Sequence, residues 1–488
     1  MKKYLFIILT LIAFTSCKKF LDIQPESDVS KEELFTTEEG FKEALNGAYV
    51  GFAGTNLYGG NLTVSNLDII AQNYQFNDAT LQKIAAFDYT VPAWVSKIST
   101  IWTGAYKGIG NVNQILEVID DRKNLFKDGN YNIIKGEALA LRAYMHFDLL
   151  RMFGPSYKNN PTFKAMPYVT TVSTKSTPYS TVSEVVDQVI SDLQQAKALL
   201  KTTDPIIQAS YVVGYPNGTK TTELKNASLF LQNRRHRINY YAVAGELARV
   251  YFYKGDNTNS LSNAKEVIES LKFPWTVKED FFAADVARRD RIFYNEILFG
   301  WFASKAAIDQ ANGLFAKDNP DYSATTDQIN AIYNLGTVGA DDWRYKQWFR
   351  LVKAANVADR FYLQKYVVNS SPIENLHPMV MPALRLSEMY LIAAEASFDT
   401  DQTKALDYFN TLRIHRGIGT ALSAGISKTD FINALEGEYR KEFYGESQNF
   451  YMHKRLNLNV ITTSGFIYAP SDKLFVFPLP VDEQAYRN

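Results

Sequence analysis

The stretch IIKGEALALRAYMHFDLLRMFG, residues 133–154, constrains the fold more than any other part of the chain. Ile134, Ala138, Leu141, Met145, Leu149 and Met152 recur at helical spacing and form one stripe, while Leu139, Ala143, Phe147 and Leu150 cover a second face. A helix that is apolar on most sides has to be surrounded by other helices. Glu137 and Arg142 sit within it, and charges on a buried helix need partners. Gly154-Pro155 then ends the pattern. The chain must therefore build a many-helix scaffold, and 488 residues, 46% of them hydrophobic, are enough for one.

Helical signals recur on both sides of this segment. Ser30 to Glu33 and Thr36 to Glu39 have capping-box spacing, with Phe41, Leu45 and Ala48 following. IWTGAYKGIGNVNQILEVI places Ile101, Ala105, Ile109, Val112, Leu116 and Ile119 on one face. Thr181 to Glu184 is a further capping box, opening a helix through Val182, Val186, Val189, Leu193, Ala196 and Leu200. INYYAVAGELARVYFYKG, closed by Gly255, pairs with NAKEVIESL; LRLSEMYLIAAEA pairs with TKALDYFNTLRIHRG; and FINALEGEYRKEFYGE comes after them. Residues 51–95, 202–235 and 303–345 read as mostly loop, with a short helix near Ile329, and KLFVFPLPVDEQ reads as extended.

Two of these pairs carry a repeat. Leu247, Ala248 and Tyr251 precede Ala264 and Ile268; Ile392, Ala393 and Ala396 precede Ala405 and Phe409. This is the small-and-large alternation of tetratricopeptide repeats, in which small residues let paired helices approach. The 133–154 helix and the 182–200 helix make a third pair, split by an insertion. The expected class is mostly α, with tetratricopeptide-like helix pairs supporting a loop-rich face.

The single cysteine, Cys17, stands in FTSCKKFLDIQPE. Before it lie Lys2 and Lys3, an apolar run from Tyr4 to Phe14, and the small residues Thr15 and Ser16. The run is too short to span a bilayer as a helix and reads as an export signal. Small residues directly before a cysteine resemble the bacterial lipobox, with Phe14 where that pattern most often has Leu. Cys17 is therefore the expected lipidation site, and one cysteine allows no internal disulfide.

Catalytic chemistry finds little support. None of His146, His236, His377, His415 and His453 pairs at i, i+4, and HExxH, G-x-S-x-G, GK[ST] and G-x-G-x-x-G are all missing. No catalytic residue, metal or cofactor is expected. Asp341-Asp342 reads as a solvated turn. The charges Glu137, Arg142, Arg385, Glu388, Glu395, Glu438, Arg440, Lys441, Glu442 and Glu446 read as structural ion pairs locking helices together. Lys+Arg and Asp+Glu both total 52, so the basic excess that marks nucleic-acid binding is lacking.

At these residues the chain resembles the SusD/RagB family of outer-membrane lipoproteins from Bacteroidetes. The matching pieces are CKKFLDIQPE from Cys17, WTGAYKGIGNVNQILE from Trp102, GEALALRAYMHFDLLRMFGP from Gly136, MPYVT at 166–170, LRLSEMYLIAAEA from Leu384, ALDYFNTLRIHRG from Ala405, EYRKEFYGE from Glu438 and FPLPVDE near the end. They occur in family order; FPLPVDE departs slightly from the more frequent Pro-Ile-Pro ending. The resemblance implies a cell-surface, lipid-anchored binding protein without catalysis. It would capture a glycan, or a peptide, for a SusC-like TonB-dependent transporter. Residues 1–16 would be the signal peptide, 17–30 the tether, and 31–488 a single domain with an N-terminal part over 31–300 and a C-terminal part over 301–488. A tetratricopeptide-type structural lipoprotein of outer-membrane assembly is the alternative, with a glycoside hydrolase behind it.

The family motifs are scaffold motifs and carry no ligand residues over. Sugar capture favours exposed aromatic faces with polar groups at their edges. The loop-rich segments offer Tyr58, Tyr74, Asn77 and Trp94 early, and Asn312, Phe315, Tyr322 and Asp327 later, with Trp301 between them. Trp102, Trp275, Trp343 and Trp348 are expected to pack inward.

Overall fold

Capping and apolar stripes decide where the long helices begin and which faces they bury. The computed structural model describes residues 31–354, 357–462 and 465–486; Cys17, the export segment and the cap expected at Ser30 lie outside them. Eight helices form the scaffold: α1 (Glu38–Phe52), α2 (Pro92–Val118), α3 (Asn130–Phe153), α4 (Val182–Leu200), α5 (Tyr240–Lys254), α6 (Asn257–Glu269), α7 (Leu386–Ser397) and α8 (Gln402–Ile414). Each packs on the next in a continuous series, so the three expected pairs are present and α1 with α2 makes a fourth. Thr181 caps α4 in the expected box with Glu184. At α1 the cap is Thr37, one residue later than expected, its side chain accepting from the Gly40 N–H. Gly255, at φ +83°, closes α5 in a conformation that favours glycine.

Helix α3 is the centre. Every residue from Gly136 to Phe153 is buried, as its all-round apolar pattern requires. Gly136 sets its approach to α4: a Cβ there would come within 2.9 Å of Leu200. Gly108 does the same for α2 against α1, where a Cβ would meet the Phe52 ring at 2.1 Å. The insertion between α3 and α4 holds a short antiparallel pair, β1 (Lys164–Pro167) with β2 (Tyr179–Thr181).

The remaining segments build a lobe against one side of this stack. Here β3 (Ile297–Phe302) pairs antiparallel with β7 (Val380–Arg385). A three-stranded antiparallel sheet runs in the order β4 (Ser323–Thr325), β6 (Val357–Leu363), β5 (Phe349–Ala354). Helices α9 (Lys428–Glu442) and α10 (Gln448–Leu456) follow, then a small hairpin of β8 (Val460–Ile461) and β9 (Ile467–Tyr468). The helix expected near Ile329 is present as Thr326–Tyr333, but the expectation of an otherwise irregular 303–345 needs correcting: short helices also occupy Lys305–Leu314 and Trp343–Trp348. They are too short for periodicity to show, but Ser304 caps Lys305–Leu314, and a Thr325–Gln328 capping box opens Thr326–Tyr333. Residues 51–95 likewise hold helices at Asn66–Ile70 and Ala79–Ala85, and KLFVFPLPVDEQ is broken by one-turn helices rather than extended throughout.

Buried ion pairs stitch the lobe to the stack. Glu442 of α9 accepts from Arg344 at 2.8 Å and from Arg416, and it pairs with Arg385. Burial raises its pKa, but Arg416 and Arg385 outweigh that and hold the carboxyl well below the usual range. Arg416 also reaches Glu296 at 2.5 Å, and Arg385 reaches Glu446 at 2.9 Å. The Asp341-Asp342 turn is not simply solvated. Asp342 is fully buried and pairs with Arg344 at 2.6 Å, while Asp341 stays exposed. Trp102 and Trp348 pack inside as expected; Trp275 and Trp343 are half-buried.

Candidate ligand-binding cleft

The two loop-rich segments singled out in the sequence do meet. The Gln75 N–H donates to the Ser323 carbonyl at 2.9 Å, and Asp321 accepts from the backbone N–H groups of Asn77 and Asp78 at 2.5 and 2.9 Å. Their aromatic residues, however, point inward. Tyr58 and Trp301 stack on each other, with ring centroids 4.7 Å apart, and Tyr144 lies edge-on to both. Tyr74 packs against Phe315 and Tyr322 at 5.9 and 5.4 Å, with Phe76 and Tyr444 around them. Trp94 stacks on Tyr89 and meets the edge of Phe477. All six candidate rings, Tyr58, Tyr74, Trp94, Trp301, Phe315 and Tyr322, are at most 7% exposed. Burying a large ring is worth about 1.5–3 kcal/mol, and ring pairs add about 0.5–1.5 kcal/mol. Packing therefore wins over display, and none of these rings presents a free face.

The polar candidates divide differently. Asn77 and Asp327 are exposed, whereas Asn312 is half-buried and donates to the Ile308 carbonyl at 2.8 Å, back along its own helix. Asp327 lies on the wall of a cleft of about 600 Å³, a size suited to a small ligand. Five elements enclose this cleft. The 72–78 segment supplies Gln75. The turn into helix Thr326–Tyr333 supplies Thr325, Thr326, Asp327 and Gln328. Strand β6 contributes Ala358 and Asp359, helix α9 contributes Arg440, and the β8–β9 hairpin contributes Ile461, Thr462 and Gly465. Ile461, Phe466 and Ile467 of that hairpin are more than half exposed, and Ile461 adds apolar surface to the cleft wall.

Two residues that line the cleft each keep a buried donor without a protein partner. Gln328 is only 8% exposed; its Oε1 accepts from the Thr325 N–H at 2.7 Å, and its Nε2 finds no acceptor. Arg440 donates from Nη2 to the Gln72 carbonyl at 3.1 Å, while its buried Nε has no acceptor. Burial pushes the Arg440 guanidinium down, with Tyr444 and Glu436 opposing. Arg360, next to Asp359 on β6, donates weakly to Asn77 Oδ1 at 3.4 Å and leaves Nη1 unpaired.

Sequence reasoning missed Gln75, Gln328, Asp359 and the hairpin. It grouped Arg440 with the structural charges. The available signal was helical geometry: Arg440 lies two residues from both Glu438 and Glu442, so it cannot share their face. Among the described residues no group of three or more His, Cys, Asp or Glu is placed to hold a metal, and no helix is long and apolar enough to cross a membrane.

The architecture defines a class: a stack of paired helices with a loop-built lobe, and in that lobe a cleft of mixed polar and apolar lining. Comparison with known proteins gives that class its family. Residues 217–474, over half of the chain, match the model of the SusD family, and residues 19–210 match a model described as starch-binding, associating with the outer membrane. The chain belongs to the SusD family. A SusD-like protein, P38, of Formosa agariphila is 27% identical over 195 residues, which cover 39% of this chain and 36% of that protein's length. Among solved structures, a SusD-like carbohydrate-binding protein from Bacteroides vulgatus superposes with a TM-score of 0.72 at 18% identity, covering 92% of this chain and 96% of that one. A SusD superfamily protein from Bacteroides thetaiotaomicron gives 0.71 at 22% identity, covering 92% and 98%. At these identities the structures establish the shared fold.

Proposed function

We propose that the protein is a cell-surface lipoprotein, anchored through Cys17, that captures a glycan in the cleft walled by Thr325–Gln328, Asp359 and Arg440 and delivers it to a SusC-like TonB-dependent transporter. Residues 17–30 act as the tether, and the chain from residue 31 onward folds as one domain. Membership of the SusD family supports the reading. The observation that carries it is the cleft itself: about 600 Å³, with hydroxyl, amide, carboxylate and guanidinium groups set among apolar surface. A sugar presents alternating donors and acceptors and can satisfy such a wall, whereas a purely apolar ligand would leave it desolvated and unpaired. Of the sequence candidates, Asp327 lines this cleft, whereas Asn77 contacts Arg360 outside its lining. Affinity electrophoresis of the purified protein against a polysaccharide panel tests capture, and co-purification from outer membranes tests for a barrel partner. Retarded migration on at least one glycan, together with a co-purifying transporter, is expected. Free migration on every glycan would remove the capture role.

A further inference from the structure

Charge pairing separates Arg440 from most arginines inside the scaffold; Arg291, also buried, likewise makes no ion pair among the described residues but does not line this cleft. Arg142, Arg234, Arg235, Arg249, Arg344, Arg385 and Arg416 each hold a carboxylate at 2.5–2.9 Å. Arg440 makes no ion pair among the described residues, although its Nε is buried. A guanidinium removed from water without a counter-ion is costly, and a ligand that brings the missing charge recovers that cost. The unpartnered amide of Gln328, itself more than nine-tenths buried, lines the same cleft, and the half-satisfied Arg360 stands beside Asp359 on β6. Two carboxylates, Asp327 and Asp359, line the cleft as well. Asp359 lies 4.0 Å from Lys353, and Asp327 stands in the first turn of its helix, where the helix N-terminus favours a negative charge.

Resting on the glycan-capture reading, we infer that the cleft takes an anionic sugar unit, with Arg440 receiving its charged group and Asp327 and Asp359 accepting its hydroxyls. The charged group is planar or tetrahedral oxyanion chemistry, a uronate carboxylate or a sulfate ester. A guanidinium serves either, because both offer oxygen acceptors to its N–H fork.

The test compares matched ligands by isothermal titration of the intact protein. One pair is polygalacturonate and its fully methyl-esterified form; the other is a sulfated galactan and its desulfated form. The charged member of one pair is expected to bind about ten- to a hundredfold tighter than its neutral counterpart, since a charge-assisted hydrogen bond is worth about 1.5–3 kcal/mol. The pair that discriminates identifies the source of the charge. Arg440→Gln should erase the difference. Gln328→Glu keeps the helix-capping acceptor but sets a carboxylate against the ligand, so it should weaken the charged ligand alone; this variant stands in if Arg440→Gln misfolds. Equal binding of charged and neutral members, unchanged in both variants, would overturn the inference and leave glycan capture intact. No binding to any of the four would overturn the inference, and only free migration on the whole polysaccharide panel as well would remove capture itself.

Discussion

Helix α9 has two faces that treat charge in opposite ways. On one, Glu438 and Glu442 lie one turn apart and meet Arg344, with Glu442 also holding Arg385 and Arg416. On the other, Arg440 reaches one backbone carbonyl and keeps a buried N–H unpaired beside open space. Both faces belong to the same short sequence, EYRKE, and both are largely withdrawn from water. The difference teaches how to read a buried charge. A saturated charge locks the scaffold, whereas an unsaturated one beside a cleft is where a ligand has something to gain.

The comparison breaks most visibly at Glu442. Glu442→Gln leaves three guanidinium groups sharing a neutral amide. Removing one partner of a buried ion network costs about 3–5 kcal/mol. Urea unfolding should show a loss of that size, while the fraction that remains folded binds ligand as before. A loss confined to a few tenths of a kcal/mol would mean that the network is not structural, and the contrast between the two faces would disappear.

Trp301 tests the same contrast among aromatic residues. It lies under Tyr58 and against Phe52, Tyr144 and Phe299. Trp301→Ala should cost about 3–5 kcal/mol by opening a cavity, with ligand affinity unchanged in the folded protein. If affinity fell while stability held, the aromatic cluster and not the Arg440 cleft would be the ligand face.

His146 makes the satisfied side titratable. Its Nδ1–H donates to the Arg142 carbonyl at 2.8 Å, and its Nε2 accepts from the Val169 N–H at 2.9 Å, so the ring is neutral. Burial lowers its pKa to about 3. The unfolded chain, with an ordinary histidine pKa near ~6.5, binds the proton first. The stabilising contribution is therefore complete above about pH 6.5 and is lost as pH falls towards 3. By about pH 4 the loss is on the order of 3 kcal/mol. Denaturant titrations at pH 7 and pH 4 should show a steep fall in the parent protein and a shallower one in His146→Gln. Equal slopes would refute the neutral ring.

These contrasts also show which parts of the structure were legible in the sequence. The helix pairs were, because a stripe such as Ile134 to Met152 recurs over enough turns to exceed chance, and because Thr181 and Glu184 mark a boundary chemically. The segments 51–95 and 303–345 were legible as loop-rich, but their aromatic residues, offered as exposed faces, are packed inside. Composition shows that Tyr58 and Trp301 lie in or near loops. It cannot show that they are stacked on each other, because that contact spans more than two hundred residues. Asp342 was misread for the same reason: its partner Arg344 is close in sequence, but what buries the pair is α9, far along the chain. Arg440 was visible as a charge off the Glu438–Glu442 face, while its missing counter-ion is a three-dimensional fact.

The smallest effect on stability, and the finest test of the cleft, is expected at Asp327. It is exposed and stands in the first turn of helix Thr326–Tyr333, whose N-terminus is already capped by Thr325 and Gln328. Asp327→Ala loses a favourable interaction with the helix dipole worth about 0.3–1 kcal/mol, so the unfolding midpoint should barely move. If the carboxylate accepts a ligand hydroxyl, the loss in binding is larger, about 1.5–3 kcal/mol, or roughly ten- to a hundredfold. Stability and affinity measured on one preparation therefore separate the two roles by size. A fall in affinity at constant stability places the ligand against the Thr325–Gln328 turn. Unchanged affinity, with Arg440→Gln still impaired, would move the contact towards α9 and the hairpin and make Asp327 part of the solvated mouth. The two substitutions thus locate the ligand along the cleft without depending on its chemical identity.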